Sequence, residues 1–303
     1  NFKDDNKYIE VAFFGGSFTG IDVDKQKELL SVAYEYIKNK KIDSIRISTR
    51  PDYINKEILK MLKSYGVKTI ELGVQSTNDY ILNKSKRGHT FEDVKKASKL
   101  IRKNGFILGH QMMVGLPEST RQDEINTAKD LIKLKPKIVR IYPVLVIKGT
   151  QLEKDYESGE YTPLTVEQAV ETAKDLLVLF NKKKINVIRI GLQNTNEITD
   201  PNSKKSQVVA GPYHPAFRQL VESRLWYDNI ANEMGLQVFI TSHSYFVIKK
   251  LLLIALKKAN TVSCISLNKG QEVKICDLHD GMPDNSIIDT SIQLYEQEIE
   301  EVL

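Results

Sequence analysis

Apolar positions along the chain follow two alternating rhythms. Six short runs are rich in Val and Ile: "YIEVAFF" (8–14), "SIRIST" (44–49), "TIELGVQ" (69–75), "ILGHQMMV" (107–114), "IVRIYPVLV" (138–146) and "NVIRIGL" (186–192). They read as strands buried on both faces. The segments between them have helical period. In "DKQKELLSVAYEYIKN" Leu29, Val32, Ala33 and Tyr36 share one face. Thr90 stands three residues before Asp93 and Thr165 three before Gln168, both N-terminal capping patterns, and Gly105 reads as a helix stop. Such βα alternation predicts a parallel sheet with right-handed crossovers.

Polar and glycine-rich motifs sit where the predicted strands end. They are Gly15-Gly16-Ser17, Ser48-Thr49-Arg50, Gln75-Ser76, Gly115-Leu116-Pro117 and Lys148-Gly149-Thr150. A (β/α) barrel collects its site on that one rim, whereas a doubly wound sheet concentrates it at a single switch point. The expected fold is therefore α/β, a partial or complete barrel. Gly15 and Gly16 can present backbone groups to a ligand. Ser48, Arg50, Gln75 and Ser76 can bind a carboxylate and hydroxyls. Gly115 precedes a helix expected from near Ser119, whose N–H groups point outward. The set suits an amino acid joined to a nucleoside. No nucleophile–His–acid set marks a hydrolase, no His/Cys/Asp cluster marks zinc, and neither GxGxxG nor a P-loop occurs. Each motif also has a plainer reading: a Gly-Gly turn is often only a turn, Arg50-Pro51-Asp52 also reads as a helix start, and His89 and His110 read as satisfied polar residues.

Composition narrows the class. With 303 residues, 41% of them apolar, the chain can bury a real core. No apolar stretch reaches the roughly 18 residues of a membrane span, and "NFKDDNK" is no signal peptide, so a cytoplasmic protein is expected. The net charge is +5, with lysines clustered at 38–41 and 182–184. A basic face can meet nucleic acid, although charge alone favours a lysine-rich solvated surface. The two cysteines, Cys264 and Cys276, exclude a disulfide framework, match no metal spacing and read as buried and inert.

In order along the chain, "FFGGSFTG", "STRPD", "ELGVQS", "RGHT", "MMVGLP" and "IYPVLVIKGT" resemble the radical S-adenosylmethionine (SAM) enzymes, most closely the elongator catalytic subunit and its bacterial and archaeal relatives. "GPYHPAFRQLVESRLWYD" resembles the end of the bacterial members, so the likeness spans about residues 8–228. It implies a partial (β/α) barrel and a 4Fe–4S cluster that cleaves SAM to a 5′-deoxyadenosyl radical, with tRNA as the substrate class. By resemblance, Gly15, Gly16 and Ser17 fall on the glycine motif that holds the methionyl amine of SAM; the family often has Glu where Ser17 stands. Gln75 and Ser76, and similarly Ser48 and Arg50, fall where the family meets SAM's ribose or carboxylate. Gly115 and Leu116 fall beside the adenine, and Lys148 lies in a stretch that would meet RNA or substrate.

The family's cluster motif, CxxxCxxC, is a departure: no cysteine precedes Cys264. The chain begins about where the resemblance places the second strand. The first βα unit is thus expected to be missing, leaving an open sheet edge, marginal stability and no radical chemistry. From residue 229 the character changes. The segment 229–303 is expected to form a small α/β unit of strands and helices. "VFITSHS" and "DGMPDNSIIDTSIQLYEQEIEE" resemble the end of AAA/ABC (RecF- or SMC-like) ATPases, with His243 as a γ-phosphate sensor or, equally, a helix cap. Two readings stand beside the radical SAM one: an ATPase-related module, and a non-catalytic SAM- or RNA-binding remnant.

Overall fold

A computed structural model describes residues 8–228, apart from 194, 196, 200 and 202–204, together with 263–266 and 274–277. The chain divides into two compact units, residues 1–234 and 235–303. In the first, six parallel strands form one sheet: β1 (Glu10–Phe13), β2 (Ser44–Thr49), β3 (Val67–Gln75), β4 (Ile107–Val114), β5 (Ile138–Pro143) and, after a two-residue strand β6 (Val146–Ile147), β7 (Asn186–Ile190). Their spatial order is their chain order, β1-β2-β3-β4-β5-β7. That singly wound order curls into an open half-barrel and excludes the doubly wound alternative. Strand β1 pairs with β2 on one side only, among the described residues. In the second unit, β9 (Ser263–Ser266) and β10 (Lys274–Asp277) pair antiparallel, with Cys264 opposite Cys276 in the ladder. No helix among the described residues is long and apolar enough to cross a membrane.

The helices that cover the sheet follow their sequence signals. They are α1 (Val23–Lys38), α2 (Lys56–Ser64), α3 (Asp79–Lys84), α4 (Phe91–Lys103), α5 (Arg121–Lys133), α6 (Gln151–Glu157), α7 (Val166–Lys182) and α8 (Phe217–Trp226). Thr90 and Thr165 close full capping boxes with Asp93 and Gln168. Gly105 follows α4 at φ +81, a left-handed turn open to glycine. Three expectations need correction. The buried face of α1 is Gln26, Leu30 and Ala33, while Val32 and Tyr36 face solvent. Helix α5 starts at Arg121, two residues beyond Ser119, and a Thr120–Asp123 capping box engages the N–H groups of Thr120 and Asp123. The run 138–146 is two strands: β5 ends at Pro143, which has no N–H for a ladder, and β6 leaves to pair antiparallel with β8 (Val208–Ala210).

The central strands are largely buried on both faces, as expected, but they are not apolar on both. One face is: Ile45, Ile47, Ile70, Leu72, Leu108, Met112, Val139 and Ile141 pack into the helix-covered core. The alternate positions carry charge. Glu71, only 1% exposed, receives Arg46 Nη1 at 2.7 Å, Arg140 Nε at 2.6 Å and Gln111 Nε2 at 2.9 Å. Arg46 continues to Glu10 through its Nε at 2.6 Å, and Glu10 also accepts from Ser44 and Thr69. At least one residue from each of β1 to β5 thus joins a charge-balanced polar floor. A buried carboxylate is tolerable only when paired and hydrogen-bonded like this, and removing one partner strands the others. Glu71→Gln is expected to lower the stability of the first unit by about 3 kcal/mol. Urea unfolding followed through the single tryptophan, Trp226 in α8, reads this directly; a loss below about 0.5 kcal/mol, the range of an ordinary surface substitution, contradicts it.

Candidate functional site at the C-terminal rim of the half-barrel

The motifs that follow β1 to β4 meet at one end of the six-stranded sheet, because all of its strands are parallel. After β1 the chain turns at Gly15 (φ +99) and Gly16 (φ +66), and a Cβ built on either meets nothing within 4 Å. The turn is therefore open on its outer side, and its left-handed backbone is what glycine permits. Ser17 ends the turn in extended conformation and begins a 3-10 turn, Phe18–Gly20. That turn is tied to the end of β2, where Thr19 Oγ1 lies 2.6 Å from Thr49 Oγ1. Phe14 stands exposed beside the turn with the Arg140 guanidinium 4.8 Å from its ring centre, linking the turn to the polar floor.

The end of β3 is strained and polar. Gln75 takes φ +69, a left-handed conformation uncommon for a non-glycine residue, next to an irregular register between Gly73 and Gln75. Its side chain is 8% exposed, and Oε1 has no partner among the described residues. Arg87, in the loop before α4, comes to the same place: a Cβ on Gly73 would lie 2.9 Å from Gln75 Nε2 and 3.8 Å from Arg87 Nη2. Arg87 Nε is likewise buried without a partner. Its pKa is lowered, first by burial and then by the nearby Arg50 guanidinium. An inward guanidinium with another cation beside it and no carboxylate on it calls for an anion. Sequence reasoning missed Arg87. Its signal was one basic residue in "KRGHT", indistinguishable there from a solvated lysine or arginine.

The remaining expected site residues divide by their partners. Ser48 lies on the polar floor and accepts from Gln111 Nε2 at 3.0 Å. Arg50 acts as a strut: Nε and Nη2 reach the two Asp52 carboxylate oxygens at 3.0 and 2.7 Å, Nη2 also reaches Gly88 O at 2.9 Å, and the group stacks on Tyr53. Ser76 turns away from the rim, donating or accepting at Thr127 on α5 and accepting from Asn78 N. Gly115 and buried Leu116 close β4 at the rim, and Lys148 is exposed beyond β6, its N–H bonded to Gln207 O. His89 and His110 are each satisfied at one ring nitrogen only: His89 Nε2 lies 3.1 Å from Val74 O and His110 Nε2 lies 2.9 Å from Ser98 Oγ, while the Nδ1 of each is buried without a partner among the described residues. Burial pushes the His110 pKa down to about 3, so it stays neutral. His243 lies outside the described residues.

The rim fits SAM as a small polar ligand: an open glycine turn, an unpaired amide oxygen and an unpaired guanidinium converge there. It does not fit a 4Fe–4S cluster. Such clusters are held by thiolates, residues 1–263 contain no cysteine, and no group of three or more potential metal ligands occurs among the described residues.

Comparison with known proteins agrees with this geometry. A family model described as the Radical SAM superfamily matches residues 1–131, and the Radical_SAM C-terminal domain matches residues 136–227. The ATPase-like reading of the tail finds no support among these matches. A tRNA uridine(34) acetyltransferase from Methanocaldococcus jannaschii is 34% identical over 184 residues, covering 54% of this chain and 34% of the relative. Human elongator complex protein 3 is 32% identical over 152 residues, covering 49% of this chain and 28% of the relative. The chain thus spans about a third of the length of these curated relatives. In structure it is similar to an N-terminally deleted Elp3 from Methanocaldococcus infernus, with a TM-score of 0.63 and 23% identity over 88% of this chain and 64% of that one. That likeness is one of fold, and it is the fold of the curled six-strand sheet. The superfamily carries SAM and a 4Fe–4S cluster, and the first 227 residues of this chain carry a Radical SAM superfamily domain followed by a Radical_SAM C-terminal domain.

Proposed function

We propose that the half-barrel binds SAM across its C-terminal rim and serves in tRNA modification, with the cluster ligands supplied from outside residues 1–263. One observation carries the reading: the side chains of Gln75 and Arg87, which carry the unpartnered Oε1 and Nε, both reach the space over Gly73 at the end of β3, on the rim that bears the open Gly15-Gly16 turn. A zwitterionic amino acid joined to a nucleoside answers both halves. Backbone oxygens of the glycine turn accept from its ammonium, Gln75 Oε1 accepts from its ammonium or a ribose hydroxyl, and Arg87 donates to its carboxylate. Gly115 and Leu116, both buried at the end of β4, form the wall beside which the base is placed by resemblance. Ser17 gives the turn no carboxylate, so the ammonium rests on backbone groups alone. Bound SAM brings an activated adenosyl sulfonium, whose reductive cleavage takes an electron from a thiolate-held cluster. The residues in hand hold the ligand; they do not supply that electron. The tRNA part rests on relatives named for tRNA uridine(34) acetylation and on the net charge of +5.

Isothermal titration is expected to show weak SAM binding, about 10–100 μM in Kd. Gly16→Val abolishes it by filling the open turn and straining its backbone, and Arg87→Ala weakens it about tenfold or more by removing a charge-assisted bond. Unchanged affinity in either variant removes the site from this rim. Anaerobic incubation with iron and sulfide is expected to leave the chain without the visible absorbance of a 4Fe–4S cluster. Stoichiometric cluster uptake contradicts the ligand assignment. Binding to tRNA is expected to weaken steeply with added salt, in a band-shift titration; no shift at low salt removes tRNA as a partner of these residues.

A further inference from the structure

Gly115 ends β4 at the rim with φ +85, and both of its backbone polar groups are taken by side chains from elsewhere. Its N–H donates to Glu124 Oε1 of α5 at 2.5 Å. Its carbonyl accepts from the Tyr161 hydroxyl, in the connection from α6 to α7, at 2.7 Å. Ser119 Oγ adds a longer contact to the same Glu124 oxygen, at 3.4 Å. Leu164 closes the remaining side, 3.1 Å from where a Cβ on Gly115 would sit. Glu124 is only 4% exposed and Tyr161 only 7%. A buried carboxylate with no cation on it is costly, and neither helix stability nor core packing calls for one at this place. The Thr120–Asp123 box already caps α5. What Glu124 does is fix one peptide of the rim.

We propose that Glu124 is a positioning residue for the ligand site: with Tyr161 it clamps Gly115 from both backbone ends and sets the surface that the ligand's base meets. This rests on the reading of the rim as a SAM site.

The clamp is coupled to a proton. Burial is the main reason the Glu124 carboxyl is pushed up to about 7; the Gly115 N–H and Ser119 hydroxyl work against it, neighbouring Asp123 adds to it and Arg121 opposes it. Tyr161, the other ionisable group facing it, is pushed up to about 12, first by burial and then by the Glu124 charge, so it remains a donor. The charged carboxylate is the stronger acceptor for Gly115 N–H. A ligand that seats on a firmly held Gly115 therefore favours the charged form and releases the proton. Folding has the opposite sign. The folded state holds this proton above the ordinary 4.5, so Glu124 costs stability increasingly as pH rises from about 4.5, and in full above about 7.

The experiment uses the full chain and two variants. In wild type, the Gly115 amide resonance of 15N-glycine-labelled protein is expected to titrate with a midpoint near 7; in Glu124→Gln, which keeps an acceptor but no proton to lose, it is flat. SAM affinity is expected to rise about fivefold more from pH 6 to pH 8 in wild type than in Glu124→Gln, the effect of a one-unit lowering of the carboxyl pKa by ligand. Titration of the SAM amine itself is common to both proteins and cancels. Glu124→Gln, a neutral acceptor like the protonated acid, is expected to bind within about twofold of wild type at pH 6 and about tenfold more weakly at pH 8, and Glu124→Ala no more tightly than Glu124→Gln. A Gly115 resonance insensitive to pH, or Glu124→Gln keeping the wild-type slope, overturns the clamp. A titrating Gly115 in a chain that binds no SAM at any pH upholds the clamp and overturns the rim as a SAM site.

Discussion

The Glu71 carboxylate, held between Arg46 and Arg140, is the interaction on which the rest of this half-barrel depends. The side chains on the inner face of a curled sheet crowd toward one another, so that face must be filled. Filling it with large apolar side chains gives a packed barrel core with no room for a ligand. This chain instead spans the concave face with ion pairs that cross from strand to strand. Each pair fixes the spacing of two strands, and Gln111 ties the same carboxylate to Ser48 one strand further on. The strand ends are thereby held at set distances, and the rim motifs stand in register with one another. Replacement by hydrocarbon of like volume costs such a network little in stability, so its value lies in geometry.

Much of the fold was legible in the sequence. Six Val- and Ile-rich runs with capped helices between them became six parallel strands, and the Thr90 and Thr165 caps formed as their spacing implies. The errors have physical causes. Val32 and Tyr36 were placed on the buried face of α1 because apolar residues flank both sides of that stripe; burial instead follows Gln26, Leu30 and Ala33, seven residues apart end to end. Pro143 split one apolar run into two strands, a break that its missing N–H foretells. The polar floor went unread although its signal was present. Arg46, Glu71, Gln111 and Arg140 sit at alternate positions of runs that otherwise look wholly apolar, and such period-two interruptions mark one face of a strand.

The site was legible as a place more than as a list of contacts. The rim motifs after β1 to β4 do follow strands of the sheet and share one end, whereas Lys148-Gly149-Thr150 follows β6, which has left that sheet. What sequence cannot show is which side chains spend their donors within the protein. Arg50 is engaged by Asp52, Gly88 and Tyr53, and Ser76 by the α5 side. Arg87, from a loop with no strand signal, arrives unpaired. Glu124 likewise sits in a helix that reads as ordinary and amphipathic, and only the fold brings it to Gly115.

Hydrogen–deuterium exchange of the full chain with and without SAM tests the central claim most directly, because it locates the ligand without assuming any variant. A ligand seated across the C-terminal rim slows exchange in peptides covering 14–19, 73–77 and 113–119, and leaves the opposite strand ends at 44–46, 67–69 and 137–139 unchanged. Protection confined to those opposite ends, or spread through residues 235–303 with none at the glycine turn, contradicts it.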